Sequence, residues 1–188
     1  MDRGRNVTLR AEHYDVIIAG AGPAGATAAY FLGAAGRRVL VLEKGTPPRY
    51  KPCGGGLSAH MLDKIFPFSF DPVVETRIQA VTYALGRHSV TVPVPDLGVQ
   101  TVMRDRFDAH ILAHARAEVR SGGGVHKVTE TTEAVTVETT TGEAFTARYL
   151  IGADGANSVV ARSLGLRWGR RKNLAAAIEA EVPASPEA

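Results

Sequence analysis

Val16-Ile17-Ile18-Ala19-Gly20-Ala21-Gly22-Pro23-Ala24-Gly25 decides how the chain is read. An apolar run of strand length leads into three glycines spaced GxGxxG. An alanine-rich stretch, Ala24 to Ala35, follows with helical spacing until Gly36 stops it. A second apolar run, Val39 to Leu42, ends at Glu43. Strand, glycine turn, helix and strand make a βαβ unit, and uninterrupted apolar strands suit a parallel sheet covered on both faces. In such a unit Gly20 permits the tight turn, Gly22 lets the backbone approach a pyrophosphate, and Gly25 allows helix and strand to pack closely. Ala24 lies between them at the start of the helix, whose free N–H groups favour an anion. Glu43, roughly twenty residues on, would accept hydrogen bonds from the adenosine ribose. Without that spacing the glycines would only turn the chain and Glu43 would be a solvated strand end. FAD and NAD fit this first motif equally.

Val16 to Gly36 carries no charge, and a hydropathy window of about twenty residues would flag it as a membrane span. Its glycines, its proline and its alanine padding divide it into strand and helix instead. The rest of the composition is ordinary: 188 residues, 45% hydrophobic, 22% charged, with 22 Lys+Arg against 19 Asp+Glu. That size supports a sizeable core and excludes full disorder. A net charge of +3 spread over scattered pairs such as Arg37-Arg38 gives no footprint for nucleic acid. One cysteine excludes an internal disulfide, and no paired Cys/His spacing suggests a metal site. His110 and His114 share a helical spacing without the glutamate of an HExxH motif. The expectation is a reduced, cytoplasmic protein with a polar leader over residues 1–13.

Beyond Glu43, glycine and proline dominate Gly45 to Gly56, a long irregular loop of the kind that carries function. Ser58 is placed to cap a short helix bearing Leu62 and Ile65. Val73 to Val94 reads as two or three antiparallel strands turning at Gly86, and Asp105 to Val119 returns to helical spacing. A strand follows Gly122-Gly123-Gly124, and Val135 to Ile151 makes a hairpin through Gly142. It leads into Gly152-Ala153-Asp154-Gly155, which by itself would be an acidic turn with Asn157 or Ser158 capping a helix.

Tyr149-Leu150-Ile151-Gly152-Ala153-Asp154-Gly155-Ala156-Asn157-Ser158, followed by Arg162, resembles the DG motif of flavoprotein monooxygenases and related reductases. There the aspartate, here Asp154, supports the cofactor region and couples it to pyridine-nucleotide use. Arg49-Tyr50-Lys51-Pro52-Cys53-Gly54-Gly55-Gly56-Leu57-Ser58 resembles the geranylgeranyl reductase family of FAD-dependent enzymes, whose cysteine and glycines lie beside the flavin. The resemblance runs from Tyr14 to about Glu181 and includes Met103-Arg104-Asp105-Arg106-Phe107-Asp108. It implies an arginine–flavin contact at Arg104, close backbone approach at Gly54 and Gly55, an adenine contact at Val125, and a catalytic role for Cys53. Read from its residues alone, Cys53 sits between Arg49, Lys51 and three glycines, a setting that favours thiolate; the alternative is a small buried hydrophobe. Arg104 could equally pair with Asp108 at i,i+4.

The resemblance implies an α/β fold: a Rossmann-like FAD-binding domain over residues 14–172, with a parallel sheet, an antiparallel hairpin and an insertion at 67–103 on the substrate side. Residues 173–188 would begin a substrate domain, with Leu174 to Val182 as its first strand, and then trail off, so the sequence reads as truncated before most of that domain. The implied activity is reduction of carbon–carbon double bonds in an isoprenoid lipid, with FAD as cofactor and NADPH or NADH as donor, at or near a membrane surface. A flavin monooxygenase acting on an aromatic substrate and a non-catalytic nucleotide-binding remnant are the alternatives. Trp168 with its neighbouring arginines reads as surface.

Overall fold

The computed structural model describes residues 8–95, 98–166 and 176–181. The chain divides into two compact units, residues 1–49 with 107–168 and residues 50–106 with 169–188.

In the first unit β1 (Thr8–Ala19), α1 (Pro23–Ala34) and β2 (Val39–Glu43) form the expected βαβ unit, with β1 and β2 parallel. After α3 (Arg104–Ala113), which begins in the second unit, come β8 (Glu118–Ser121), β9 (Val125–Glu130), β10 (Val135–Thr139), β11 (Glu143–Gly152) and α4 (Val159–Ser163). The sheet runs β8-β2-β1-β11-β10-β9, parallel from β8 to β11 and antiparallel from β11 to β9.

Consecutive strand residues point to opposite faces, and both faces are covered. Ile17, Ala19, Leu40 and Leu42 join Val137 and Phe145 in one core, while Val16, Ile18, Val39 and Val41 pack with Ala21 of the glycine turn and Ala29 of α1 in the other. Each large side chain so buried contributes roughly 1.5–3 kcal/mol. This explains the absence of polar alternation in β2, whose five residues are all buried. Gly36, at φ +74°, ends α1 while Arg37 N–H reaches back to the Leu32 carbonyl. The uncharged stretch is thus a strand and a 12-residue helix. Among the described residues no helix is long and apolar enough to cross a membrane.

Three expectations are corrected. The leader is not separate from the fold, because β1 starts at Thr8 and pairs Thr8 with Glu143 and Leu9 with Ala144; a backbone ladder can be extended by polar residues wherever a partner strand is long enough. Glu118 and Val119 are not the end of a helix but part of β8, drawn into strand by parallel pairing with β2. Residues 176–181 form no strand and are exposed, Ile178 completely. Trp168 and the tail beyond 181 lie outside the described residues.

The second unit holds β3 (Gly56–Ser58), α2 (Ala59–Ile65), a 3₁₀ turn, β4 (Val74–Arg77), β5 (Ala80–Leu85), β6 (His88–Pro93) and β7 (Val99–Val102). Strands β3, β7 and β4 make one antiparallel sheet, and β5 with β6 make a separate hairpin turning at Gly86. The 67–103 segment lies within this unit, which begins earlier, at Tyr50. Ser58 stands at the N-cap of α2, although its side chain makes no cap bond.

Candidate functional site

The chemistry-bearing residues fall into two groups, one on each unit. The first gathers where β1 and β2 end, the carboxyl edge at which open parallel sheets bind ligands. Gly20 adopts φ +100°, and a Cβ there would collide with the Ala153 carbonyl, so the turn brings the Ala153-Asp154 segment against the glycine loop. Ala153 N–H donates to the Ala19 carbonyl at 2.8 Å and Gly20 N–H to that of Leu42 at 2.8 Å. Gly22 is the N-cap of α1, with Pro23 next and Ala24 exposed. A Cβ on Gly22 would meet only Arg49 Nη2, at 3.7 Å. The open first turn of a 12-residue helix therefore faces a cation-bearing space, a setting suited to a pyrophosphate.

Glu43 is 3% exposed. Its Oε2 accepts from Ala21 N–H at 2.7 Å and from Arg49 Nη2 at 3.3 Å, and its Oε1 accepts from Gly45 N–H at 3.0 Å and lies 3.2 Å from Arg49 Nε. Burial alone would raise this carboxyl; the N–H groups of Gly45 and Ala21, with Arg49, outweigh it and hold the group below its ordinary range. A carboxylate has about four acceptor sites, and all four are engaged here. A ribose hydroxyl would find an acceptor on Glu43 only in place of one of these donors. Arg49 also reaches Asp108 Oδ2 at 3.4 Å, and Asp108 is 4% exposed on α3. The sequence reading missed Arg49 and Asp108 as site residues. Their signal was an unpaired-looking arginine six residues after the acidic end of β2, which only the fold places over the glycine turn.

Asp154 Oδ2 accepts from Val159 N–H at 2.7 Å and Val160 N–H at 3.3 Å, while Ser158 Oγ caps α4 through Ala161 N–H at 2.8 Å. Asp154 Oδ1 is buried without a hydrogen-bond partner. Such an atom is costly unless something donates to it, and a nucleotide hydroxyl is a suitable donor. Val125 opens β9 and is 9% exposed within the core that holds Leu42. The turn before it approaches the end of β2, since a Cβ on Gly124 would come 2.9 Å from Lys44 Cβ. Both features fit an adenine nucleotide at this edge.

The second group lies on the loop before β3. Cys53 is exposed, not a buried hydrophobe. The Gly55 N–H and the Arg104 side chain beside the thiol, with the Arg104 charge, lower its pKa against the opposing effects of partial burial and Glu179. The structure thus brings together two residues fifty-one positions apart. Gly55 sits at φ +67°, where a Cβ would collide with the Val102 carbonyl, and Gly54 is open to solvent. Replacing Arg104 with glutamine should shift the alkylation profile of Cys53 to higher pH and slow its reaction at neutral pH several-fold, as followed by iodoacetamide kinetics. An unchanged profile would remove Arg104 from the thiol's environment. A cavity of about 430 Å³ in the same unit, lined by Phe66, Phe68, Phe70 and Gln100 among others, includes neither Cys53 nor Arg104. Among the described residues no cluster of three His, Cys, Asp or Glu side chains is placed to hold a metal.

The chain is 32% identical over 187 residues to a menaquinone reductase of Mycolicibacterium smegmatis, covering 93% of this chain and 45% of that protein. Among solved structures, a geranylgeranyl bacteriochlorophyll reductase-like protein of Thermoplasma acidophilum superposes with TM-score 0.66 at 24% identity, over 77% of this chain and 40% of that one. The halogenase PltM, solved with phloroglucinol and FAD, gives 0.65 at 22%, over 81% and 36%. At these identities the two structures share the fold. The chain spans less than half the length of the relatives it matches. The sequence profile described as FAD binding domain matches residues 13–66 and 74–186, and the chain belongs to that FAD-binding family.

Proposed function

We propose that the chain is the FAD-binding portion of an oxidoreductase that reduces carbon–carbon double bonds of an isoprenoid lipid, with NADPH or NADH as donor. The observation that carries this reading is the exposed Cys53 thiol beside Gly55 N–H and Arg104, which lower its pKa. FAD, when bound, would supply a hydride drawn from the reduced nucleotide. Saturating a double bond takes that hydride at one carbon and a proton at the other. Cys53 Sγ supplies the proton, Gly55 N–H and Arg104 stabilise the thiolate left behind, and water reprotonates it. Arg104 also contacts the flavin, and Gly54 leaves the backbone open to it.

On the other unit Gly22, Ala24 and the first turn of α1 bind the pyrophosphate, Glu43 the ribose, Val125 the adenine and Asp154 a nucleotide hydroxyl. Arg49 leaves Glu43 on binding and turns to the pyrophosphate charge. Arg49→Ala should therefore weaken FAD binding by about tenfold, roughly 1.4 kcal/mol, and flatten its salt dependence, as measured by quenching of flavin fluorescence. Tighter binding would mean that the arginine only obstructs Glu43.

A menaquinone reductase among the relatives supports a lipid substrate, which would bring the protein to a membrane surface. The test is incubation of the protein, joined by the polypeptide that completes its relatives, with reduced nucleotide and geranylgeranyl lipids. Products should gain one hydrogen pair per saturated bond; no gain across several prenyl lipids would exclude the reading. The PltM fold is as near as that of the reductase-like protein, which supports a second reading, oxidation of an aromatic substrate. Oxygen uptake coupled to a hydroxylated product would reverse the order.

A further inference from the structure

The cavity of about 430 Å³ in the second unit includes none of the residues assigned above to the cofactor or the thiol. It is lined by β4 and β7, by α2 and by the turn from Phe66 to Asp71. Its volume falls in the roughly 300–1,000 Å³ range of small-molecule sites. Phe66-Pro67-Phe68-Ser69-Phe70 puts an aromatic ring at every second position of that turn. The three rings gather with centroids 5.1–5.3 Å apart and planes tilted by 37–65°, which presents both faces and edges to a further ring. Phe66 and Phe70 are buried, and Phe68 is half-buried.

On the sheet, the register sets Gln100 of β7 between Leu57 of β3 and Arg77 of β4, so the three share one face. Gln100 is 4% exposed, and among the described residues none hydrogen-bonds its side-chain amide. A buried amide without a partner is costly, and this one lines the cavity. Asp63 and Asp71 supply two carboxylates to the same lining and Arg77 one guanidinium, which pairs with Asp71. The lining thus carries one net negative charge.

These features select a ligand. The rings favour a flat aromatic partner. An isoprenoid tail has neither donor nor acceptor and would leave the Gln100 amide unpaired. A phosphate or carboxylate would be repelled by the excess negative charge. One uncharged oxygen on a ring satisfies the amide without that repulsion. We propose that this cavity binds a neutral aromatic ring bearing a hydroxyl or carbonyl oxygen, packed against Phe66, Phe68 and Phe70 and hydrogen-bonded to the Gln100 amide. The site stands whichever acceptor the flavin serves, because its residues are separate from those given to hydride and proton transfer.

The test titrates isotopically labelled residues 1–188 with p-cresol, toluene and p-hydroxybenzoate and follows the backbone amide resonances. p-Cresol should bind saturably, moving resonances of residues 59–77 and of Gln100 and leaving those of the glycine turn in place. Toluene, which lacks the oxygen, and p-hydroxybenzoate, which adds a charge, should each bind at least about fivefold more weakly. Gln100→Leu should cost p-cresol about fivefold in affinity and leave toluene unchanged, a split that a merely structural role for Gln100 would not produce. Phe68→Leu should weaken p-cresol and toluene together. Absence of saturable p-cresol binding overturns the proposal, as do shifts confined to other residues or a Gln100→Leu chain that binds p-cresol as the native chain does. Equal affinity of the native chain for p-cresol and toluene overturns it too, and that comparison needs no variant.

Discussion

Gly25→Val is expected to remove FAD binding and to leave the chain at the edge of stability. A Cβ on Gly25 would collide with the Gly20 carbonyl, and the Ile18 side chain lies 3.3 Å away on another side. Overpacked cores usually lose about 1–3 kcal/mol because side chains rearrange. Here the obstacle is backbone, pinned by Gly20 N–H donating to Leu42 and by the β1 and β2 ladder, so the loss should be about 3 kcal/mol or more. Against a domain stability of roughly 5–15 kcal/mol, that is a large fraction. Thermal denaturation with and without added FAD measures it. A variant that melts like the native chain and still binds FAD would show that helix and strand do not need their close approach.

The second large effect belongs to Glu43. Glu43→Ala strips a buried acceptor from Ala21 N–H and Gly45 N–H and leaves Arg49 with Asp108 alone. Hydrogen bonds to a charged group contribute about 1.5–3 kcal/mol each, and the abandoned donors must be resolvated or remain unpaired. Arg49 is partly exposed, so the ion pair itself adds only about 1 kcal/mol or less. The expected loss is about 2–4 kcal/mol, and FAD affinity should fall as well.

Glu43→Gln separates charge from shape through pH. The folded state lowers the pKa of Glu43; the carboxylate's contribution is therefore complete above the unfolded value and is lost as pH falls through the folded value. The native chain should lose melting temperature on acidification more steeply than Glu43→Gln, in the window just below the ordinary carboxylate range. Parallel curves would mean that the ionised form is not favoured by folding.

The βαβ unit was legible because every signal in it is local. Apolar runs, glycine spacing and the Gly36 stop are read within about twenty residues, and the structure reproduces them. The β10–β11 hairpin and the β5–β6 hairpin were legible for the same reason. Glu118 to Ser121 was not: its residues carry no strand pattern, and their pairing with β2 is set by a partner some eighty positions earlier. Thr8 and Leu9 likewise belong to β1 because β11 is long enough to receive them.

The sequence by itself determined that this protein carries a nucleotide-binding turn, where it lies and which residue ends the second strand, since hard-sphere limits on glycine and the period of apolar residues act locally. It also singled out Cys53 and Arg104, but as separate residues. Tertiary structure alone decided that Arg104 meets the Cys53 thiol, that Arg49 occupies the acceptor sites of Glu43 and joins it to Asp108, and that one oxygen of Asp154 is left without a donor. Those contacts join residues far apart in sequence, and their geometry follows from how strands and loops pack, which no local pattern encodes.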